Sequence, residues 1–494
     1  MTSAARYRFS DGARIGVLLG MSMRQALPIV VGVLWLTLML MAGIPIVGML
    51  GPVAGVVVAL GRWKRAPLYE VAAPGLRLVT ARLTKRSTWT RRSLLAAGPG
   101  AAEDLPPALR GVELHEFTVS WHPNERAIGV VHDRPAGTVS AVIPMRADGF
   151  PVASAIEQDA LLASWGALLA PIARARCPVS RVTWQEWSHP VGVETHRTFL
   201  ADVGRERRHD GANDDYELLL GSVAPFTIAH DVLLTVTVDL RRVRGRRGAS
   251  PMTGGVDALI EECRQLVSRG EAAGFATEAP LSAADLATQV RRRSDPARCG
   301  APSSVRRSLA SAAGRTAAEW GPMAVEPNWF EARIDGSWHR SFRFASWPML
   351  PVAADWLGPL LTVDSVIRTV TVVLEPVPLA SAAMDANRQL TSIEADQQQK
   401  EQHGFRLTAR ERRRHADVET RERELAEGHP MFRHVGLITV SAADLDQLEE
   451  ACNRVEQAAA QSLVDLRPLA ARQAEGWVAS LPLGRSVRPG RSIW

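Results

Sequence analysis

Between Ala26 and Leu60 the chain runs for 35 residues without a charged side chain. A run this apolar must be removed from water, in a protein interior or in a bilayer. As one helix at about 1.5 Å per residue it would extend about 52 Å, well past a hydrocarbon core of about 30 Å. Ala42-Gly43-Ile44-Pro45 divides it, because proline removes a backbone donor and disfavours helix at the residue before it. The run therefore reads as a transmembrane helical hairpin over residues 23–62, with spans near Met23–Ala42 and Ile46–Arg62. Both spans are short, which implies local thinning of the bilayer or snorkelling of Arg24 and Lys64.

Charge supports two spans. Arg6, Arg8, Arg14 and Arg24 precede the run, and Arg62, Lys64, Arg65, Arg77 and Arg82 follow it. A single span would set a basic flank on each side of the membrane, against the positive-inside rule. A hairpin sets both flanks, and both termini, on the cytoplasmic side of the cell inner (plasma) membrane. One tilted span or a re-entrant loop are the alternatives. A cleaved signal peptide does not fit, since its apolar core is about 7–15 residues and is followed by small residues; here Arg62-Trp63-Lys64-Arg65 follows. Trp63 beside those cations reads, with Arg24 and Lys64, as a membrane anchor.

The chain has 494 residues, 46% of them hydrophobic and 22% charged, which excludes disorder and fibrous folds. Its four cysteines (177, 263, 299 and 452) form no C-x-x-C pair, so neither a disulfide scaffold nor a cysteine zinc site is expected. The net charge of +6 comes almost wholly from arginine. Lysine stands only at 64, 85 and 400, never after a glycine, so there is no Walker A loop.

Residues 1–22 read as a basic cytoplasmic N-terminus, and 63–105 as a basic juxtamembrane linker, solvated or lying on anionic headgroups. Beyond it, β-branched runs at Val112–Val119, Ala127–His132, Thr138–Met145, Val179–Trp187 and His230–Asp239 predict strands. Glu157–Arg176, Asp214–Ile228 and Val256–Ala273 carry helical spacing. Residues 106–290 thus form a first α/β subdomain, and 291–316 an Arg/Ser/Ala-rich linker. Residues 317–494 form a second subdomain, with strands at Ser337–Trp347, Val366–Leu374 and Phe432–Ser441. It also carries a long helical pair near 379–427 broken at His403-Gly404, and a helix over Ala443–Gln461 with Ser441 as its cap. The expected fold class is an α/β (α+β) cytoplasmic region of two related subdomains, preceded by the hairpin.

Chemistry is hard to find. His115-Glu116 with His122 is not H-E-x-x-H, His132-Asp133 reads as a turn pair, and the histidines show no zinc spacing. No G-x-S-x-G elbow and no G-x-G-x-x-G loop is present. No catalytic, cofactor-binding or metal-ligating residue is therefore expected, and the chain does not read as an enzyme. The arginine runs at 241–247, 291–293 and 410–414 lack interleaved aromatics and read as solvated faces, with weak nucleic-acid contact as the alternative. Trp320, Trp329, Trp338, Trp347 and Trp356 recur every nine residues, a spacing that shares a face on neither helix nor strand. They read as core anchors at element ends, or as hot spots of a partner interface.

The order of segments carries a resemblance. The basic start and apolar hairpin are followed by RGVELHEF, IGVVHDRPAGTVSAVIP, the tryptophan block GPMAVEPNWFEARIDGSWHRSFRFASWPMLPVAADWLGPLL, TVTVVLEPVP and WVASLPLGR. Together they resemble a family of actinobacterial integral-membrane proteins met beside conjugative or type IV secretion-like ATPases. Residues 15–65 are similar to the small inner-membrane hairpin subunit of such systems. Residues 106–484 are similar to the N-terminal, non-catalytic domain of the transport ATPase, whose Leu-Pro-Gly-type end Leu481-Pro482-Leu483-Gly484 approaches. In that ATPase a motor domain follows; here ten residues do. The resemblance implies a structural membrane component whose partners are the lipid bilayer, a separate secretion ATPase and other inner-membrane secretion subunits, with homo-oligomerisation open. A membrane component of a type VII secretion complex, a DNA-contacting module and a membrane enzyme are the other readings.

Overall fold

The computed structural model describes residues 23–63, 66–84, 87–91, 105–146, 150–174, 176–191, 193, 212–223, 227–243, 250–296, 320–348, 350–402, 409–427 and 430–487. Its first two helices, α1 (Met23–Met41) and α2 (Pro45–Leu60), form the expected antiparallel hairpin. Gly43, at φ +76°, turns the chain where a side chain would be strained. The helices meet through glycine. A Cβ on Gly51 would lie 2.7 Å from the Gly32 carbonyl oxygen and 2.5 Å from Trp35 Cδ1, so the backbones touch only because both positions are bare. The Trp35 indole N–H donates to the Val47 carbonyl at 3.3 Å. The hairpin lies where two spans are expected, but among the described residues no helix is long and apolar enough to cross a membrane. The 16 residues of α2 reach only about 24 Å.

A two-stranded ribbon of β1 (Arg62–Trp63) and β2 (Ala66–Pro67) leads into α3 (Leu68–Leu83) and β3 (Trp89–Thr90). This stretch, expected as a linker, is built against the body: α3 buries Val71, Gly75 and Leu78, and β3 pairs in the main sheet. The first half of the body supplies β4 (Val112–Trp121), β5 (Asn124–Asp133), β6 (Thr138–Arg146), β7 (Val179–Pro190), β8 (Ile228–Asp239) and β9 (Ala276–Thr277). The second supplies β10 (Ala324–Pro327), β11 (Ala332–Ile334), β12 (Ser337–Ser346), β13 (Ile367–Val377), β14 (Met431–Ala442) and β15 (Asp465–Pro468).

With β3 these strands make one 13-stranded sheet in the order β3-β10-β11-β12-β14-β13-β7-β8-β6-β5-β4, with β15 on β12 and β9 on β6. Every pairing is antiparallel. The fold is mixed α+β, and the α/β expectation is corrected to that extent. The strand–helix–strand order misleads because each crossover is split: β6 and β7 run parallel but β8 lies between them, as β14 lies between β12 and β13.

The order from β4 inward to β7 repeats, element for element, from β10 inward to β13, and the two sets meet at β7–β13, where Gln185 faces Thr371. The equivalence extends to details. Tight hairpins precede Thr138 and Ser337, and left-handed residues Gly274 (φ +84°) and Leu463 (φ +55°) follow the corresponding helices. The short strands β9 and β15 then return to β6 and β12.

Helices cover both faces. On one lie α4 (Ala155–Leu169) and α6 (Pro251–Ala272) over Ile143, Val182 and Leu234, and α8 (Gly358–Leu361) and α11 (Leu445–Gln461) over Phe342, Val370 and Ile438. The other face carries α7 (Ala283–Ser294) and α12 (Gln473–Ala479) over Leu114, Val142 and Ile334. Between β7 and β8 stands α5 (Ala212–Val223), and between β13 and β14 the pair α9 (Leu379–Gln402) and α10 (Ala409–Ala426). Several boundaries differ from expectation: α4 ends at Leu169, α5 ends at Val223, and Ile228, expected at the end of that helix, begins β8. Residues 291–294 end α7 and do not begin a linker, because Val290 and Arg293 complete its buried face; 297–319 lie outside the described residues. Asp444, not Ser441, caps α11, accepting from the Gln447 N–H at 2.8 Å; Ser441 belongs to β14.

Candidate functional site

A group of buried polar side chains lies where the two halves meet. On the α7 face of β7, Trp187 is fully buried and stacks on His189 with ring centres 3.8 Å apart. The guanidinium groups of Arg292 and Arg293 lie over the same indole at 5.0 and 4.6 Å. His189 Nε2 is 3.4 Å from Asp231 Oδ2, and Arg292 Nη1 is 3.9 Å from that oxygen. Burial opposes ionisation of Asp231, but the His189 hydrogen bond and the nearby arginines prevail and hold its pKa below the usual carboxylate value. The run at 291–293, expected on a solvated face, thus supplies two arginines to a tryptophan.

On the opposite face, Glu186 Oε1 accepts from the Ser188 hydroxyl and lies 2.6 Å from His230 Nδ1. Serine, histidine and carboxylate together suggest a nucleophile triad, but the geometry does not make one. Ser188 Oγ is 3.2 Å from the same Nδ1 that holds the carboxylate, so the histidine has no second nitrogen on the serine with which to relay its proton. The buried Arg368 beside Ser188 points its guanidinium at the carbonyls of Leu361, Val363 and Val366. The cluster joins the β7–β13 seam.

A second assembly joins the hairpin to the body. Trp63 packs edge-on against Trp329 at 5.0 Å and Phe330 at 5.2 Å. Glu70 of α3 pairs with Arg343 of β12 at 2.5 Å, and Gly75 lets α3 approach the Trp329 ring, which a Cβ would meet at 2.8 Å. A cavity of about 770 Å³ lies between α3 and the sheet, lined among others by Tyr69, Arg77, Trp89, Val325 and Leu437. Outward, α3 exposes Leu76, Val79 and Leu83 at spacings of three and four.

The nine-residue tryptophans fall in separate places. Trp320 is a fully buried core residue beneath α7 and α12. Trp329 is the docking face for Trp63 and α3. Trp338, Trp347 and Trp356 border the core under α11, where Trp347 meets Trp356 at 6.0 Å and stands edge-on to His434 at 4.6 Å. Of the anchor residues, Arg24 lies in the first turn of α1, Trp63 is turned onto Trp329, and Lys64 lies outside the described residues.

Among the described residues, one group of side chains could hold a metal ion: Glu113 and His115 on β4 with His132 on β5. Sequence reading sets each histidine beside its chain neighbour, but strands alternate, and the neighbours turn away. Glu116 accepts from the Ala283 N–H, and Asp133 pairs with Arg485. The cross-strand register Glu113↔His132 is the signal that unites the group.

No known protein-family profile matches the chain, and a search of curated proteins returns no match.

Proposed function

We propose that this chain is a membrane-anchored structural component of a type IV secretion-like or conjugative transfer machine, which docks a separate ATPase on its α+β body. The observation that carries the membrane reading is the apolar hairpin. Leu34, Leu38, Met41, Ile46, Leu50 and Leu60 are all exposed, and such a continuous surface is not left in water. Seated in a bilayer that thins around its short helices, the hairpin would cross and return, leaving both flanks on the basic, cytoplasmic side. The stripe Leu76–Val79–Leu83 would then lie in the interface, beside Arg77 and Arg82.

The rest of the reading rests on the body and on the sequence resemblance. Trp63–Trp329 and Glu70–Arg343 would hold the sheet at a fixed angle to the membrane, as a scaffold requires. The polar clusters at β7–β13 support a joint between the halves. The paired strand orders support descent of the two halves from one duplicated unit.

The test is a mild-detergent pulldown of the full-length protein from its native membrane, followed by mass spectrometry. Co-purification of a conjugative-type ATPase with other secretion subunits is the expected result. Recovery of type VII components would reassign the chain to that machine, and recovery from the soluble fraction without detergent would end the membrane reading.

A further inference from the structure

We infer that Glu113, His115 and His132 form a binding site for a divalent transition-metal ion of the zinc class. His115 Nε2 lies 3.2 Å from Glu113 Oε2, and His132 Nδ1 lies 3.5 Å from that oxygen. All three ligand atoms fall within 4.8 Å of one another. A tetrahedral ion with bonds of about 2.0–2.2 Å separates its ligands by roughly 3.3–3.6 Å; the His132 distance falls in that range and the His115 distance just below it, so small side-chain shifts admit a shared ion. Two imidazoles and one carboxylate are a borderline donor set that favours zinc, copper or nickel over magnesium and calcium. Three protein ligands leave a fourth position for water.

The fold prepares the group. Glu113 and His115 share one face of β4 by the two-residue period, and the register sets His132 directly across from Glu113. Two adjacent paired strands fix all three backbones. The other carboxylate oxygen, Oε1, is held by Arg134 Nε at 3.1 Å. Arg134 thus has the place of an outer-shell partner: it orients the carboxylate and leaves Oε2 turned to the histidines. The side chains remain partly open to solvent, which gives the ion an entry path. This inference concerns the outer edge of the sheet and does not depend on membrane anchoring or on any secretion partner.

The experiment uses full-length protein in mild detergent, with any affinity tag removed and the metal stripped by chelator. Equilibrium dialysis against Zn²⁺ with elemental analysis should give one tightly held ion per chain, and Co²⁺ should give the visible absorption of a tetrahedral N/O site. His115→Ala and Glu113→Gln should each abolish the stoichiometric ion while the far-ultraviolet circular dichroism stays unchanged. Arg134→Ala should keep the ion but weaken it by about 10–100-fold. Absence of saturable binding, or an unchanged ion in the folded His115→Ala variant, would overturn the assignment. If the alanine variant does not fold, His132→Ala on the neighbouring strand gives the same decision.

Discussion

Arg485 and Asp133, 352 residues apart in the chain, form a two-pronged ion pair: Nε to Oδ2 at 2.7 Å and Nη2 to Oδ1 at 3.0 Å. The same guanidinium also donates to the carbonyls of Ala108 and Arg110. Just before it, the Gly484 carbonyl accepts from Arg181, and the Ala479 and Leu481 carbonyls accept from Gln185 Nε2 at 3.3 and 3.1 Å. The end of the second half is thus laid across the sheet of the first. The reverse also holds: the Ser294 carbonyl at the end of α7 lies 3.1 Å from His339 Nε2, on β12.

Removing one partner of the Arg485–Asp133 pair leaves the other charge nearly buried. Arg485→Ala or Asp133→Asn should lower stability by roughly 3–5 kcal/mol, with a smaller loss for the double variant than for the sum of the two. Urea unfolding of the detergent-solubilised protein reads this directly. Additive losses would show that the two groups do not act together.

His339 should make the fold acid-sensitive. Its imidazole is fully buried, with Nε2–H donating to the Ser294 carbonyl and Nδ1 accepting from Ser441 at 2.8 Å, and burial pushes its pKa down to about 4. The folded state binds the proton less well than the unfolded state. Its contribution is therefore complete above about pH 6.5 and is lost as pH falls toward 4, on the order of 3 kcal/mol in all. Melting curves of wild type and His339→Gln should converge across that window. Parallel curves would remove His339 as the cause.

The buried thiols should be inert. Burial pushes the pKa of both Cys263 and Cys452 up to about 12, with the charge of Glu262 adding at Cys263. Only the thiolate is a nucleophile, so at pH 8 both should resist iodoacetamide in the folded protein and react on addition of urea. Peptide mass spectrometry separates these sites from Cys299. Labelling of Cys263 at the rate of a free thiol would mean that α6 opens readily.

The hairpin should depend on its bare crossing. Gly51→Leu forces a side chain into Trp35 and the Gly32 backbone, so the helices must separate. In detergent this variant should shift from a single size-exclusion peak toward aggregate, whereas Gly43→Asn, at a left-handed turn with open space around it, should not. Equal behaviour of the two would show that close packing of α1 and α2 is dispensable.

Most elements were legible because their signals are local. The alternation in HDVLLTVTVD and the Gly-Ile-Pro turn of the hairpin each act over a few residues, while the break expected at His403-Gly404 lies outside the described residues. The short α7 was missed because its basic last turn, Arg291–Arg293, hides an amphipathic pattern that becomes apolar only when Arg293 folds over Trp187. The antiparallel sheet was not legible either. Whether β8 lies beside β6 and β7 or between them is decided by contacts about a hundred residues apart, which no window of sequence reports. The Glu113–His115–His132 group failed for a related reason: two residues on one strand and one on the next become neighbours only through register.

The reciprocal exchange of chain ends has a consequence during synthesis. The hairpin precedes the body in the chain, so its two helices can pair before the strands of the body are made. The first half, however, lacks its cover over Gln185 and its partner for Asp133 until residues 479–485 have emerged. Closure of the first half therefore waits for residues 479–485. A chain cut short within α12 would leave Gln185 and Asp133 of the upstream half without these partners.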